Sequence, residues 1–395
     1  MTPHLILMTK NRSEMADKNI FLKQLKLRNF LSLHDVSLPF KPLTVLVGAN
    51  ASGKSNILKA CLVLNRMIQR RETLPENTTI QGWTWAGDPQ GQIDFEIQLE
   101  IDNNPVIYRL VLQNSSKKPI YTEKLLINDV EVISVQEGKG QIRDENKASP
   151  ILSYSSEKLA LTSAGDYGTK PITNLLTDFI KNWAFFNFMP EVMRRKNVLF
   201  VNPTLDIPTQ LDDDGSVLKH LLFSWHQKNT EQFEAVSQAL ASSVTQFRLE
   251  SLNENGELGL LEGYDKPIPL DKASDGTLRL LAYYTLLNQS ELPALIAIEE
   301  PERNLHPAAL AEVANLLEAL AMKTQVIVTT HSAQFIDAFE KDNLGKSLGV
   351  LLLKNQKGSG TQIIDFEEEQ NHRTALSGWV KDFGIGSAIF DSALL

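Results

Sequence analysis

Gly48-Ala49-Asn50-Ala51-Ser52-Gly53-Lys54-Ser55 is the stretch on which the reading of this chain turns. It fits the pattern G-x-x-x-x-G-K-[ST] at every specified position. Leu43-Thr44-Val45-Leu46-Val47 before it is an apolar run of strand length, and Asn56-Ile57-Leu58-Lys59-Ala60-Cys61-Leu62-Val63-Leu64 after it reads as a helix. Strand, loop and helix in that order form the frame in which such a loop cradles phosphates. Gly48 and Gly53 let the backbone turn its N–H groups inward as an anion nest, and the following helix adds its positive end. Lys54 brings a mobile charge to the outer phosphates, and the Ser55 hydroxyl is a ligand for Mg²⁺. Asn50, Ser52 and Asn56 complete the candidate cradle. The stretch predicts binding of a nucleoside triphosphate.

The chain of 395 residues is long enough for one large core or two lobes. Its hydrophobic share of 42% and charged share of 22% are those of a globular protein. Cys61, the one cysteine, cannot form an internal disulfide, which suits a reducing compartment; it reads as a small buried residue. No apolar run reaches the roughly eighteen residues of a membrane span, and Leu5-Ile6-Leu7-Met8 is too short for a signal-peptide core. The expectation is a cytoplasmic protein, with no membrane partner and a flexible N-terminal extension over residues 1–20. A net charge of −9 does not announce a surface built for non-specific phosphate contacts, although a local basic patch stays open.

Residues 21–30 alternate apolar and polar, as a half-buried strand does, and a second strand around residues 36–40 leads into the loop strand. Period-two alternation returns over residues 93–101 and continues over 106–112 and 121–135, with turns at Asn103-Asn104-Pro105 and Asn128-Asp129. These predict an antiparallel β layer. Residues 173–188 have a helical pattern, 215–226 and 230–244 read as amphipathic helices, and 248–262 as a hairpin around Asn253-Glu254-Asn255-Gly256. Further on, Lys272-Ala273-Ser274-Asp275-Gly276-Thr277-Leu278-Arg279 opens a helix, and Ala294-Leu295-Ile296-Ala297-Ile298 is a buried strand ending in Glu299-Glu300-Pro301-Glu302. Leu305-His306-Pro307 starts another helix, with proline in its first turn. Gln325-Val326-Ile327-Val328-Thr329-Thr330 is a third buried strand, ending at His331-Ser332, and a hairpin around Lys357-Gly358-Ser359-Gly360 closes the order. Strands alternating with helices imply a mainly parallel sheet that meets ligands at its carboxyl edge.

Glu299 and Glu300 stand where an apolar strand runs out, so they project towards the phosphates. One acid can hold Mg²⁺ while the next orients or deprotonates water; Glu299 is assigned to the metal and Glu300 to the base. His331 at a strand end is able to sense a γ-phosphate, although a lone histidine there is more often structural. Ser274-Asp275-Gly276 offers phosphate donors, yet alone it is an ordinary helix N-cap.

Order along the chain supplies the meaning. Phosphate loop, long insertion, S-D-G-T-L-R, I-E-E-P-E-x-x-L-H-P and T-T-H-S together resemble the ABC-type ATPase heads of the RecF/SMC/OLD group. The likeness is nearest to stand-alone bacterial ATPases of phage-defence and mobile islands, and Leu25-Lys26-Leu27-Arg28-Asn29-Phe30 is similar to that family's first strand. The resemblance implies an α/β P-loop NTPase, an ABC-ATPase-like head with a mixed, mainly parallel core sheet, an antiparallel β layer and a helical insertion lobe. It implies ATP and Mg²⁺ as cofactors. Lys54 and Ser55 become phosphate and Mg²⁺ ligands, Glu300 the catalytic base, and His331 the switch histidine. Ser274 and Gly276 belong to a signature that binds the γ-phosphate of the opposite subunit, and Asn304 falls in the segment that crosses the dimer. Asp275 and Glu299 depart from the transporter pattern in the manner of this subgroup. The glutamine that such heads place near the metal is unassigned among Gln92, Gln98 and Gln136.

The implied organisation is an extension over 1–20, a nucleotide-binding lobe over 21–172, a helical insertion lobe over 173–270 and the second part of the ATPase core over 271–395. Arg194-Arg195-Lys196 reads as a solvated charge run, Asp212-Asp213-Asp214-Gly215 as a capped helix start, and Trp83-Thr84-Trp85 as locally packed aromatics. The functional expectation is an ATP-hydrolysing switch: an ATP-dependent homodimer, or a higher homo-oligomer, controlling a separate effector protein such as a nuclease or toxin, or DNA, in antiviral defence. No heptad arms support an SMC-like tether, and the residues after His331 are too few for an OLD-type nuclease domain. The rivals are a non-hydrolysing scaffold that holds an effector inactive and a RecF-like repair ATPase.

Overall fold

The computed structural model describes residues 20–70, 79–88, 90–115, 119–145, 149–156, 158–163, 167–195, 208–243, 247–252, 257–262 and 266–391. At its centre a sheet of six strands runs in the order Trp183–Phe186, Leu295–Glu299, Gln325–Thr330, Leu43–Val47, Leu348–Gln356, Gly360–Asp365. The first five are mutually parallel and the last is antiparallel. Parallel sheets are buried on both faces, which is why Leu43–Val47 and Gln325–Thr330 are buried at every position and do not alternate. Val45, Val47, Ile296, Ile298, Val326 and Val328 join one core, formed with the Asp275–Leu287 and Pro307–Ala321 helices. Leu46, Leu295, Ala297, Ile327 and Leu351 face the other way, onto Ile57, Ala60, Cys61 and Leu64 of the Lys54–Arg70 helix.

That second core is roofed by an antiparallel sheet of eight strands in the order Leu33–Pro39, Ile20–Phe30, Gln92–Ile101, Asn104–Gln113, Ile120–Ile127, Val130–Gln136, Lys139–Ile142, Leu152–Ser155. Its inward rows, including Leu25, Leu27, Phe95, Ile97, Tyr108 and Leu110, are buried. Each such large apolar side chain contributes roughly 1.5–3 kcal/mol. Its outward rows carry opposite charges face to face: Lys26 donates to Glu96 at 3.0 Å and Arg109 to Asp94 at 2.9 Å. Glu123 is the buried exception. It accepts the Tyr108 hydroxyl at 2.9 Å and the backbone N–H of Leu161 at 3.0 Å, and that of Ala160 as well, and burial pushes its carboxyl up from the ordinary range. The two sheets are also tied by Gln325, whose amide accepts from Leu22 N–H at 2.7 Å and donates to the Leu22 carbonyl at 2.9 Å.

The helical reading of 173–188 holds for only part of that stretch. A helix spans Pro171–Lys181, with proline at its start, and ends at Asn182; Trp183–Phe186 is then the edge strand of the six-stranded sheet, paired with 295–298. Four residues are too few to show a period, while aromatic side chains favour a strand laid on a buried surface. Beyond it, the Leu218–Lys228 and Thr230–Ser243 helices and the Phe247–Ser251 and Leu258–Glu262 strands match the pattern, with Ile268–Pro269 as a third strand. The turn at 253–256, Lys196 and the N-terminal extension up to residue 19 lie outside the described residues. Three helices, Phe366–His372, Thr374–Phe383 and Ile385–Asp391, follow the closing hairpin. No helix among the described residues is long and apolar enough to cross a membrane.

Candidate active site

Three parallel strands, Leu43–Val47, Leu295–Glu299 and Gln325–Thr330, end side by side, and the candidate residues leave from their carboxyl ends. Gly48 N–H donates to the Thr330 carbonyl at 3.3 Å, so the phosphate loop departs from the end of the neighbouring strand. Both loop glycines are enforced by space. A Cβ on Gly48 would lie 2.5 Å from the Leu353 carbonyl, and one on Gly53, whose φ is +110°, would lie 2.2 Å from Thr361 Oγ1. The closing hairpin braces the loop: Thr361 donates to the Ser52 carbonyl at 3.0 Å and Asn355 to the Ala51 carbonyl at 3.1 Å. Asn56 turns away from the cradle and donates to Ser32 Oγ at 2.8 Å, while Asn50 stays exposed at the loop tip.

Lys54 is buried, and its ammonium donates to the carbonyls of Gly48 at 2.6 Å and Ala49 at 3.0 Å. Burial lowers its pKa, while Glu300, Glu299 and Glu302 pull the other way. Ser55 donates to Glu299 Oε1. The next acid takes a different partner: Glu300 Oε1 lies 2.9 Å from His331 Nδ1. What separates the two carboxylates is the backbone, because Glu300 sits at φ +45°, in the left-handed region. That conformation is uncommon for a side chain of this kind and clusters at functional sites. Glu300 N–H donates back to the Thr329 carbonyl at 3.0 Å, which keeps the turn on the sheet edge.

Ser274 is the N-cap of the Asp275–Leu287 helix and accepts from Thr277 N–H at 3.1 Å. Gly276 lies against the acid turn, where a Cβ would be 3.5 Å from Leu305 Cδ2 and 3.6 Å from the Asn304 carbonyl. Asn304, at φ +61°, donates to Asp275 at 3.4 Å. Sequence reasoning missed Arg194. It is no solvated charge but bonds Asp275 and the Ala273 carbonyl, the latter at 2.8 Å, and nothing local in the sequence signals so distant a partner. Glu302 was also passed over, although a third acid in E-E-P-E was a visible signal. Its carboxyl is buried and accepts the Thr330 hydroxyl.

The minor signals resolve simply. Asp212 and Asp214 accept from the N–H groups of Val217 at 3.1 Å and Ser216 at 3.0 Å, so they brace the turn before the Leu218–Lys228 helix, while that helix's own N-cap, Val217, makes no side-chain cap. Trp85 packs locally, its ring 5.3 Å from that of His34. Gln98 donates to Glu96 on the outer face at 2.9 Å, and among the described residues none of Gln92, Gln98 and Gln136 is hydrogen-bonded to Ser55 or Glu299.

The donor set fits Mg²⁺ together with a triphosphate. Ser52 Oγ is buried in the cradle without a partner, and among the described residues no group of three or more His, Cys, Asp or Glu side chains forms an all-protein metal cage. Mg²⁺ is ordinarily held by one or two protein ligands plus phosphates and water, which Ser55 and Glu299 provide for.

This sheet, loop and acid-ended strand define an ABC-like P-loop ATPase head. The fold is shared with the head of an SMC protein bound to the C-winged helix domain of ScpA, at a TM-score of 0.53 and 16% identity over 89% of this chain and 99% of that one. It is shared likewise with an Smc head carrying an extended coiled coil, bound to the C-terminal domain of ScpA derived from Pyrococcus furiosus, at 0.50 and 14% over 91% and 100%. Residues 43–337 match the family described as "AAA domain, putative AbiEii toxin, Type IV TA system", and the chain belongs to that family. Among curated proteins it is 51% identical over 39 residues to the OLD nuclease of Thermus scotoductus and 31% identical over 102 residues to the DNA replication and repair protein RecF of a Cyanothece species. Those matches span 10% and 26% of this chain but only 7% and 25% of the two relatives. The fold is thus that of an SMC-type head, and the sequence is similar to the OLD nuclease and RecF over those segments.

Proposed function

We propose that this protein is a cytoplasmic, Mg²⁺-dependent ATP-hydrolysing switch whose ATP-sandwiched dimerisation controls a separate effector, a nuclease or toxin, in antiviral defence. The observation that carries the reading is the parting of two adjacent acids, Glu299 to Ser55 and Glu300 to His331. Lys54 and the backbone of the loop bind and orient the triphosphate. Ser55 and Glu299 hold Mg²⁺, which supplies charge neutralisation to the outer phosphates. Glu300 accepts the proton of the attacking water, and its contact with His331 keeps its carboxylate turned to the sheet edge. Ser274 and Gly276 bind the γ-phosphate on the opposite subunit, and Asn304, beside Gly276, shares that face. A phosphate touched from both subunits gives the closed and open states different affinities for ATP and ADP. The toxin in the family's description and the nuclease among the relatives support an effector of that kind.

The test is the mass in solution of Glu300→Gln with Mg²⁺, with and without ATP, beside steady-state turnover of the wild type. Doubling with ATP, together with wild-type turnover, is expected. An assembly indifferent to ATP and without turnover would point instead to a nucleotide-stabilised scaffold. The match to RecF favours a second reading, a repair clamp. That clamp would bind double-stranded DNA in an ATP-dependent, steeply salt-dependent manner.

A further inference from the structure

The segment that carries Glu300 is fastened by a third acid, Glu302. Its carboxyl is 9% exposed, Oε1 accepts the Thr330 hydroxyl, and Oε2 has no hydrogen-bond partner. Burial pushes this carboxyl up from the ordinary range. The receiving hydroxyl is itself a junction. Thr330 Oγ1 also accepts from Ser332 N–H at 3.0 Å, and the Thr330 carbonyl accepts from Gly48 N–H at 3.3 Å. His331 lies between those two bonded residues. From the opposite side, Tyr283 of the Asp275–Leu287 helix donates to the Pro301 carbonyl at 3.3 Å. The Glu302–Thr330 contact therefore joins the two segments whose facing side chains are Glu300 and His331.

We propose that Glu302 is a positioning residue for ATP hydrolysis: through Thr330 it sets the turn at His331–Ser332, so that His331 Nδ1 meets the Glu300 carboxylate. The inference rests on the hydrolysis reading above, and it concerns a residue outside the set proposed there to hold phosphate and Mg²⁺. A carboxamide keeps the acceptor for Thr330 and the volume of the side chain. Removal of the Thr330 hydroxyl leaves Glu302 without its donor.

The experiment compares Glu302→Gln, Glu302→Ala, Thr330→Val and the Ala/Val double variant in the full chain. It reads ATP affinity, kcat and KM, and the His331 ring signals of ¹⁵N-histidine-labelled protein, assigned by their loss in His331→Gln. Expected are ATP affinities within about threefold of wild type throughout, a fall in kcat of at least about tenfold for Glu302→Ala and Thr330→Val with KM little changed, and a double variant no worse than the poorer single one. Glu302→Gln should restore most of kcat. The His331 signals should move in Glu302→Ala and Thr330→Val and return in Glu302→Gln. Wild-type kcat in Glu302→Ala, additive losses, or a stationary His331 signal would each overturn the proposal. If the wild type binds ATP but never turns it over, the hydrolysis reading fails, and the ring signals still decide whether Glu302 positions His331. Should Glu302→Ala fail to fold, Thr330→Val carries the same comparison.

Discussion

Arg194 holds Asp275. The guanidinium comes from the short Pro190–Arg194 helix, bonds the carboxylate, and also donates to the Ala273 carbonyl at 2.8 Å, so both sides of Ser274 are pinned from another part of the chain. The ion pair is partly exposed, at 29% and 40%, and contributes about 0–1 kcal/mol. Arg194→Ala is expected to lower unfolding free energy by about 1–2 kcal/mol once the carbonyl bond is counted. ATP affinity of the isolated subunit should not change, while ATP-driven dimerisation weakens about tenfold or more, read by sedimentation. Dimerisation at the wild-type level would separate this contact from the signature's role.

Lys54 is the only one of the loop's side chains whose charge is drawn into the cradle. Lys54→Ala should abolish measurable ATP binding by calorimetry, a loss of about a hundredfold or more, worth about 2.7 kcal/mol. The thermal midpoint without nucleotide should hardly fall, since the removed charge is one that burial already disfavours.

Glu300→Gln preserves shape and the contact with His331 but removes the base. Turnover is expected to drop by about 10²–10⁴-fold, with ATP affinity kept and the dimer trapped. Normal turnover in this variant would show that another group accepts the proton.

Glu123 supplies a pH prediction. Its folded-state pKa is raised by burial, so the folded protein binds this proton more tightly than the unfolded chain. The resulting stabilisation is complete below the ordinary value of about 4.3 and is lost as pH climbs from there through the raised folded value. Glu123→Gln offers one acceptor oxygen in place of two, leaves a buried N–H unpaired, and should cost about 1–3 kcal/mol. Melting both proteins across the acid-to-neutral range should show the gap widest near about pH 4 and narrowing as pH rises. A gap that widened with pH would contradict the sign.

What the sequence showed was whatever chain-local chemistry encodes. Gly48 to Ser55, the mostly apolar runs at 43–47, 295–298 and 325–328, and the polar residues at their ends carry their own signals, because both-face burial favours apolar side chains and a parallel sheet exposes its carboxyl edge. The antiparallel layer was equally plain from its two-residue period. The strand Trp183–Phe186 was hidden because its pairing with 295–298 is tertiary and its length is below any period. Arg194 read as an ordinary surface charge because its partners lie 79 and 81 positions away. Glu302 looked like one more acid of a run. Its meaning depends on Thr330, which only the fold brings near.

The left-handed backbone at Glu300 has a consequence for how this protein can change. Glycine or asparagine would sit there with less strain than glutamate, by about 1–2 kcal/mol for glycine. A laboratory search that rewards heat resistance alone would therefore drift towards losing this side chain, and the sturdiest descendants would be the inert ones. Under the proposed function, position 300 is where selection for durability and selection for turnover pull the same codon in opposite directions.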